Sequence, residues 1–172
     1  MIIIVIGQSG SGKTSFVKRE LIPGPYEIEQ KATQVTKAAN GVYAIGKYGI
    51  GIRTEGTDTL PYNAQNDILK AIKELADEGY DVVAEGDRIN NRTAMTAILN
   101  LGHPVKLYLV TCSLRTSMER LMKAGSKITV PFVKATKTKS KKIYFEFAQQ
   151  ADGEIISTEG NNEYSDYESE RP

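Results

Sequence analysis

One cysteine, one histidine and no tryptophan occur in 172 residues, and the first two scarcities each narrow the chemistry available. Cys112 has no intrachain disulfide partner, which fits a reducing cytoplasm. It closes the apolar run 107–111 and reads as a small hydrophobe ending a core strand rather than as a catalytic thiol. His103 lies in a Gly-His-Pro turn, and one histidine with one cysteine cannot build a metal cluster. Long hydrophobic runs are also missing. None approaches the roughly 20 residues that cross a bilayer, and the apolar start, residues 1–6, is too short for a signal-peptide core and has no basic leader. The expectation is a cytoplasmic protein with no membrane partner.

Hydrophobic residues make up 40% of the chain and charged residues 25%, both globular values, and the length suits one compact domain. The net charge of +1 hides an uneven distribution. Residues 123–142 carry seven lysines and no acid, whereas residues 152–172 carry seven acids and one arginine. Residues 161–172 are expected to form an acidic, disordered tail.

Residues 2–6 form a continuous β-branched run, the pattern of a parallel strand covered on both faces. A glycine-rich turn follows, then a helix over 13–21 that Pro23 and Pro25 stop. Residues 26–44 are mixed, with candidate strands near 34–36 and 42–45. Pro61 suits a first helical turn. Ala64, Ile68, Leu69, Ile72, Leu75 and Ala76 then recur at helical spacing up to Gly79. A strand over 81–84 ends in Glu85-Gly86-Asp87-Arg88. Asn90 or Asn91 caps a helix running to 101. A strand over 105–111 precedes a helix with Leu114, Met118, Leu121 and Met122 on one face. After the lysine-rich segment come a helix carrying Ile143, Phe147, Ala148 and Ala151, and a last strand over 154–157. This alternation predicts an α/β fold with a central, mostly parallel sheet and helices on both faces.

The turn Gly7-Gln8-Ser9-Gly10-Ser11-Gly12-Lys13-Thr14 has the spacing Gly-x-x-x-x-Gly-Lys-Thr between an apolar strand and a helix. Its glycines let backbone N–H groups wrap a phosphate chain, Lys13 supplies a charge to the β- and γ-phosphates, and Thr14 offers a hydroxyl to Mg²⁺. The helix that begins here, with Ser15 in its first turn, presents its positive end to the same anion. ATP and Mg²⁺ are therefore the expected cofactors.

The order of parts resembles the P-loop nucleoside and nucleotide kinase superfamily, which includes guanylate, thymidylate and shikimate kinases. Residues 1–14 are similar to the opening of guanylate kinases. Residues 107–121 resemble the strand and helix before the family's lid, and residues 154–158 its final strand. The resemblance implies a three-layer P-loop kinase domain over 1–160, with a lid at about 123–142. It places Glu85 facing the triphosphate, as a metal ligand or a base, and Arg120 where lid-proximal arginines contact ATP. Glu85-Gly86-Asp87-Arg88 matches the Glu-Arg pair of deoxynucleoside kinases inexactly, and Asp87-Arg88 equally resembles the Asp-Arg step of thymidylate kinases. Asp58 is the competing base, in the position of the acceptor-activating aspartate of polynucleotide kinases; it also serves as a plain capping residue. Arg115 reads as solvated surface.

The lid candidate holds lysines where the family usually holds arginines, which removes the planar fork of a bidentate clamp. Lysine-rich segments also suit polyanions, and the Gly56-Thr57-Asp58-Thr59-Leu60 turn resembles phage kinases that phosphorylate 5-hydroxymethyluracil within DNA. The expected acceptor is thus a (deoxy)nucleoside monophosphate or a base hydroxyl in DNA, in host cytoplasm if the chain is phage-encoded. The oligomeric expectation is a monomer or homodimer. Two rivals are an NTPase switch, against which the missing Asn-Lys-x-Asp motif counts for GTP, and a nucleic-acid binder with an idle P-loop.

Overall fold

A computed structural model describes residues 1–49 and 55–159. The acidic tail at 161–172 and positions 50–54 of the glycine-rich stretch lie outside the described residues. Seven strands form one sheet: β1 (Ile2–Ile6), β2 (Tyr26–Gln30), β3 (Gln34–Ala38), β4 (Tyr43–Ile45), β5 (Val82–Glu85), β6 (Val105–Thr111) and β7 (Gly153–Ser157). Their order is β2-β3-β4-β5-β1-β6-β7. β4, β5, β1, β6 and β7 run parallel, and β2 and β3 add an antiparallel edge.

The isoleucine run of β1 is buried on both faces because helices cover both. Ile2, Ile4 and Ile6 share a core with α2 (Gln65–Asp77), α3 (Arg92–Leu99) and α5 (Val130–Phe147). Ile3 and Val5 face the opposite core, which holds Phe16 of α1 (Lys13–Phe16) and Val17. The remaining helix, α4 (Leu114–Lys123), follows β6. This is the three-layer α/β arrangement expected, with the glycine-rich turn leaving the C-terminal end of a central strand. Ligand sites of open parallel sheets lie at that end.

Several elements differ from the sequence reading. The helix expected over 13–21 is four α-helical residues followed by a π-helical stretch, Val17–Leu21. Pro61 precedes the helix proper: Thr57–Thr59 is a 3₁₀ turn, and α2 begins only at Gln65. Asn91, not Asn90, caps α3, its side chain accepting from the Ala94 amide at 3.0 Å. β2 belongs to the stretch that read as mixed. The lysine-rich segment is helical from Val130 onward, with Pro131 in the first turn. Val133, Thr136, Ser140, Ile143, Tyr144 and Phe147 form its buried stripe, so Lys134, Lys137, Lys139, Lys141 and Lys142 project from one continuous helix.

Candidate active site

The glycine-rich turn is anchored from beneath by Gln8, which is 1% exposed. Its side-chain amide donates to Cys112 O at 2.7 Å and to Ser117 Oγ at 2.9 Å, joining the turn to the end of β6 and to α4. Gly10 has φ +77°, and a Cβ there would lie 2.6 Å from the Ser117 carbonyl oxygen, so only glycine fits this close approach. Ser9 N donates to Thr136 Oγ1 of α5 at 3.3 Å. Ser11 Oγ is buried without a hydrogen-bond partner among the described residues. The Lys13 ammonium donates to Gly7 O and Gln8 O, each at 3.0 Å. Burial lowers the Lys13 pKa, and the negative charges of Glu85, Asp58 and Asp87 oppose that shift.

Glu85 ends β5 beside this lysine and is 2% exposed. Burial raises its pKa, while the Lys13 charge and hydrogen bonds from Thr14 and Tyr48 pull it back. Gly86, at φ +122°, follows; a Cβ there would sit 2.4 Å from Thr57 Oγ1. The absence of that Cβ lets Thr57 dock on the strand end, its hydroxyl donating to Glu85 O at 2.6 Å. Thr57 in turn brings Asp58 to the site. The Arg88 guanidinium donates to Asp58 Oδ1 at 2.7 Å and to Pro61 O at 3.2 Å. Asp87 pairs instead with Lys139 of α5 at 2.8 Å.

Arg120 reaches the turn from the opposite side. It donates to Thr158 Oγ1 at 2.8 Å, to Thr158 O at 3.1 Å and to Gly10 O at 3.4 Å. Arg115 lies away from these contacts, 88% exposed and paired with Glu119 at 2.9 Å. Two cavities flank α1. One, of about 1000 Å³, is lined by Thr14, Lys18, Tyr26, Glu55, Asp58 and Leu121, among others. The other, of about 460 Å³, includes Gly12, Ser15, Arg19, Arg120, Thr158 and Glu159 in its lining. Of the residues singled out from sequence, Thr14 and Asp58 line the larger cavity and Arg120 the smaller, while part-buried Lys13 and buried Glu85 lie behind Thr14 and Arg88 holds Asp58.

The donor set fits a small hard cation bound with a polyphosphate. Thr14 and Glu85 offer adjacent oxygens, and Mg²⁺ is typically held by one or two protein oxygens plus phosphates and waters. Among the described residues no three His, Cys, Asp or Glu side chains converge to hold a metal by themselves. No helix among them is long and apolar enough to cross a membrane.

No protein-family model matches the chain. No curated protein sequence matches it either. Among solved structures, it is similar to deoxyadenosine kinase from M. mycoides with the products dCMP and a flexible dCDP bound, at 12% identity and a TM-score of 0.46, over 91% of this chain and 90% of that one. The dATP-bound form of that enzyme gives 12% identity and a TM-score of 0.45, over 91% of each chain. The likeness is one of overall course; the chemistry of the site is carried by this chain's own side chains.

Sequence reasoning missed Tyr48, Thr57 and Thr158. Thr57 was within reach, since it adjoins Asp58 in a turn already singled out. Tyr48 and Thr158 act through tertiary contacts that no local spacing announces. Cys112 has the structural role expected, 1% exposed and 3.1 Å from Ser117 Oγ, and burial raises its thiol pKa. Thiolate is the reactive form. Alkylation of the folded protein by iodoacetamide at neutral pH is therefore expected to be at least about a hundredfold slower than alkylation in denaturant, measured by mass spectrometry. Equal rates would place the thiol at the surface.

Proposed function

We propose that the protein is an ATP- and Mg²⁺-dependent kinase that transfers the γ-phosphoryl group to a nucleotide-type acceptor. The observation that carries this reading is the meeting of Lys13, Thr14 and buried Glu85 at the glycine-rich turn, with a cavity on either side of the helix that follows. The smaller cavity, with Arg120 and Thr158, suits the donor nucleoside. The larger, with Asp58, suits the acceptor.

Thr14 and Glu85 would hold Mg²⁺, which when bound neutralises phosphate charge. Lys13 and the amides of residues 7–14 stabilise negative charge on the transferred group, fixed in place before the reaction. Arg120, braced on Thr158, adds a positive charge on the donor side. Asp58 accepts the proton of an attacking hydroxyl, and Arg88 fixes its orientation. Glu85 suits that role less, because its carboxylate is buried, accepts from Tyr48 and does not line the open cavity. A nucleoside monophosphate needs no base, since its phosphate is already ionised.

A polymeric acceptor is a second reading, favoured by α5. Its Lys134 and Lys142 are exposed and have no acidic partner among the described residues, and Phe145 lies exposed beside them on the same face. Such a face suits a nucleic-acid strand such as DNA bearing 5-hydroxymethyluracil. The test offers γ-labelled ATP with a set of nucleosides and nucleoside monophosphates and with an oligonucleotide containing 5-hydroxymethyluracil, then separates polymer from small molecules. Label on an acceptor supports the kinase, and its location selects the acceptor. Steady ATP hydrolysis that never labels an acceptor would support the NTPase switch instead.

A further inference from the structure

The end of β5 meets a side chain from a distant loop. Tyr48 is 1% exposed, and its phenol donates to Glu85 Oε1 at 3.1 Å. The pair is closely enclosed: a Cβ on Gly56 would lie 2.9 Å from Glu85 Oε1 and 3.0 Å from the Tyr48 hydroxyl. The loop is itself held on three sides. Tyr48 N donates to Thr36 Oγ1 of β3 at 3.0 Å, and Gly56 N donates to Lys47 O at 3.0 Å. Gly49 N donates to Glu55 Oε1 at 3.0 Å, and Glu55 pairs with Lys18 at 2.8 Å. Lys18 lies four residues after Thr14, so the loop carrying Tyr48 is tied to the segment that carries the Thr14 hydroxyl.

A glutamate's last torsion is soft, and one contact does not fix the plane of its carboxylate. Here the Tyr48 phenol supplies a hydrogen bond and the close approach of Gly56 a wall, with Thr14 as the electrostatic neighbour on the other side. We propose that Tyr48 is a positioning residue whose phenol holds the Glu85 carboxylate against Thr14, so that their oxygens are presented together to a divalent cation. This rests on the kinase reading, and it gives the segment after β4 a role: Tyr48 carries a brace from the strands at the sheet's antiparallel side to the metal-binding corner. Tyr48 touches neither nucleotide nor acceptor in this role.

Calorimetric titration of a non-hydrolysable ATP analogue, with and without Mg²⁺, tests it without turnover. Y48F keeps the ring and deletes the donor. It is expected to leave Mg²⁺-free analogue affinity unchanged and to raise the Mg²⁺ concentration for half-maximal enhancement about tenfold, the worth of one hydrogen bond to a charged group. The E85Q background supplies the control against a merely structural effect: if Tyr48 acts through the carboxylate, Y48F adds nothing further there. Unchanged Mg²⁺ dependence in Y48F, or a full additive loss in the E85Q background, overturns the assignment of Tyr48 alone. Binding by the unsubstituted protein that does not respond to Mg²⁺ overturns the kinase reading together with it. Were Y48F to unfold, T36V, which removes the acceptor for the Tyr48 amide, is expected to weaken Mg²⁺ dependence in the same direction, and no change there would also overturn the proposal.

Discussion

Replacing Lys13 with alanine is expected to reduce phosphoryl transfer by about a thousandfold or more while the fold persists. Its ammonium lies inside the turn, donating to Gly7 O and Gln8 O at 3.0 Å. In that partly desolvated place a fixed charge acts on a developing phosphoryl charge far more strongly than it would in water. Removing one such fixed donor commonly costs about 10²–10³ in rate, and Lys13 is an ammonium held directly on the turn's own carbonyls. The turn has other anchors, since Gln8 still bonds to Cys112 O and Ser117 Oγ. Circular dichroism and thermal melting should therefore stay close to those of the unsubstituted protein. The measurement is label transfer from γ-labelled ATP at saturating acceptor. Transfer by K13A within tenfold of the original rate would remove Lys13 from the chemistry. K13R is not expected to rescue, because a planar guanidinium does not replace a compact ammonium in so close a turn.

How far the site can be read from sequence depends on whether a residue acts through its neighbours along the chain or across the fold. The glycine-rich turn is local: glycine spacing, a preceding apolar strand and a following helix define its geometry, and all three are visible in residues 2–16. Glu85 was equally visible, since it ends an apolar run. Asp58 and Arg88 were each singled out, but their 2.7 Å pairing joins residues thirty positions apart and needs the fold. Tyr48 was invisible for the same reason, being 37 positions from Glu85. The helical elements show another limit. The buried stripe of α5 includes Thr136 and Ser140, which bond to Val133 O and Thr136 O of their own helix. A pattern that looks for apolar residues passes over such positions, so the helix seemed to begin later than it does. β2 was hidden by composition: Glu27 and Glu29 alternate with Tyr26 and Ile28, which suits a polar edge strand but also resembles a loop.

Asp58→Asn is expected to lower the rate of transfer to a hydroxyl acceptor by about 10²–10⁴, the usual worth of a positioned general base, with ATP binding unchanged. Asparagine is nearly isosteric, and its carbonyl oxygen can still accept from Arg88, so the turn held by Thr57 and Glu85 should not move. What is lost is the carboxylate itself, on a residue that lines the cavity of about 1000 Å³, and with it the group able to take a proton. The substitution also separates the two kinds of acceptor. A phosphate acceptor arrives already ionised, and removing a carboxylate from its path would relieve repulsion, so D58N would leave its phosphorylation equal or faster. The rates of labelled product formation for D58N and the original protein, compared on hydroxyl and phosphate acceptors, therefore report the base and the acceptor class together. A hydroxyl acceptor phosphorylated at the original rate by D58N would move the base assignment away from Asp58. A loss confined to kcat, with KM for ATP unchanged, is the result that ties this carboxylate to the proton of the attacking group.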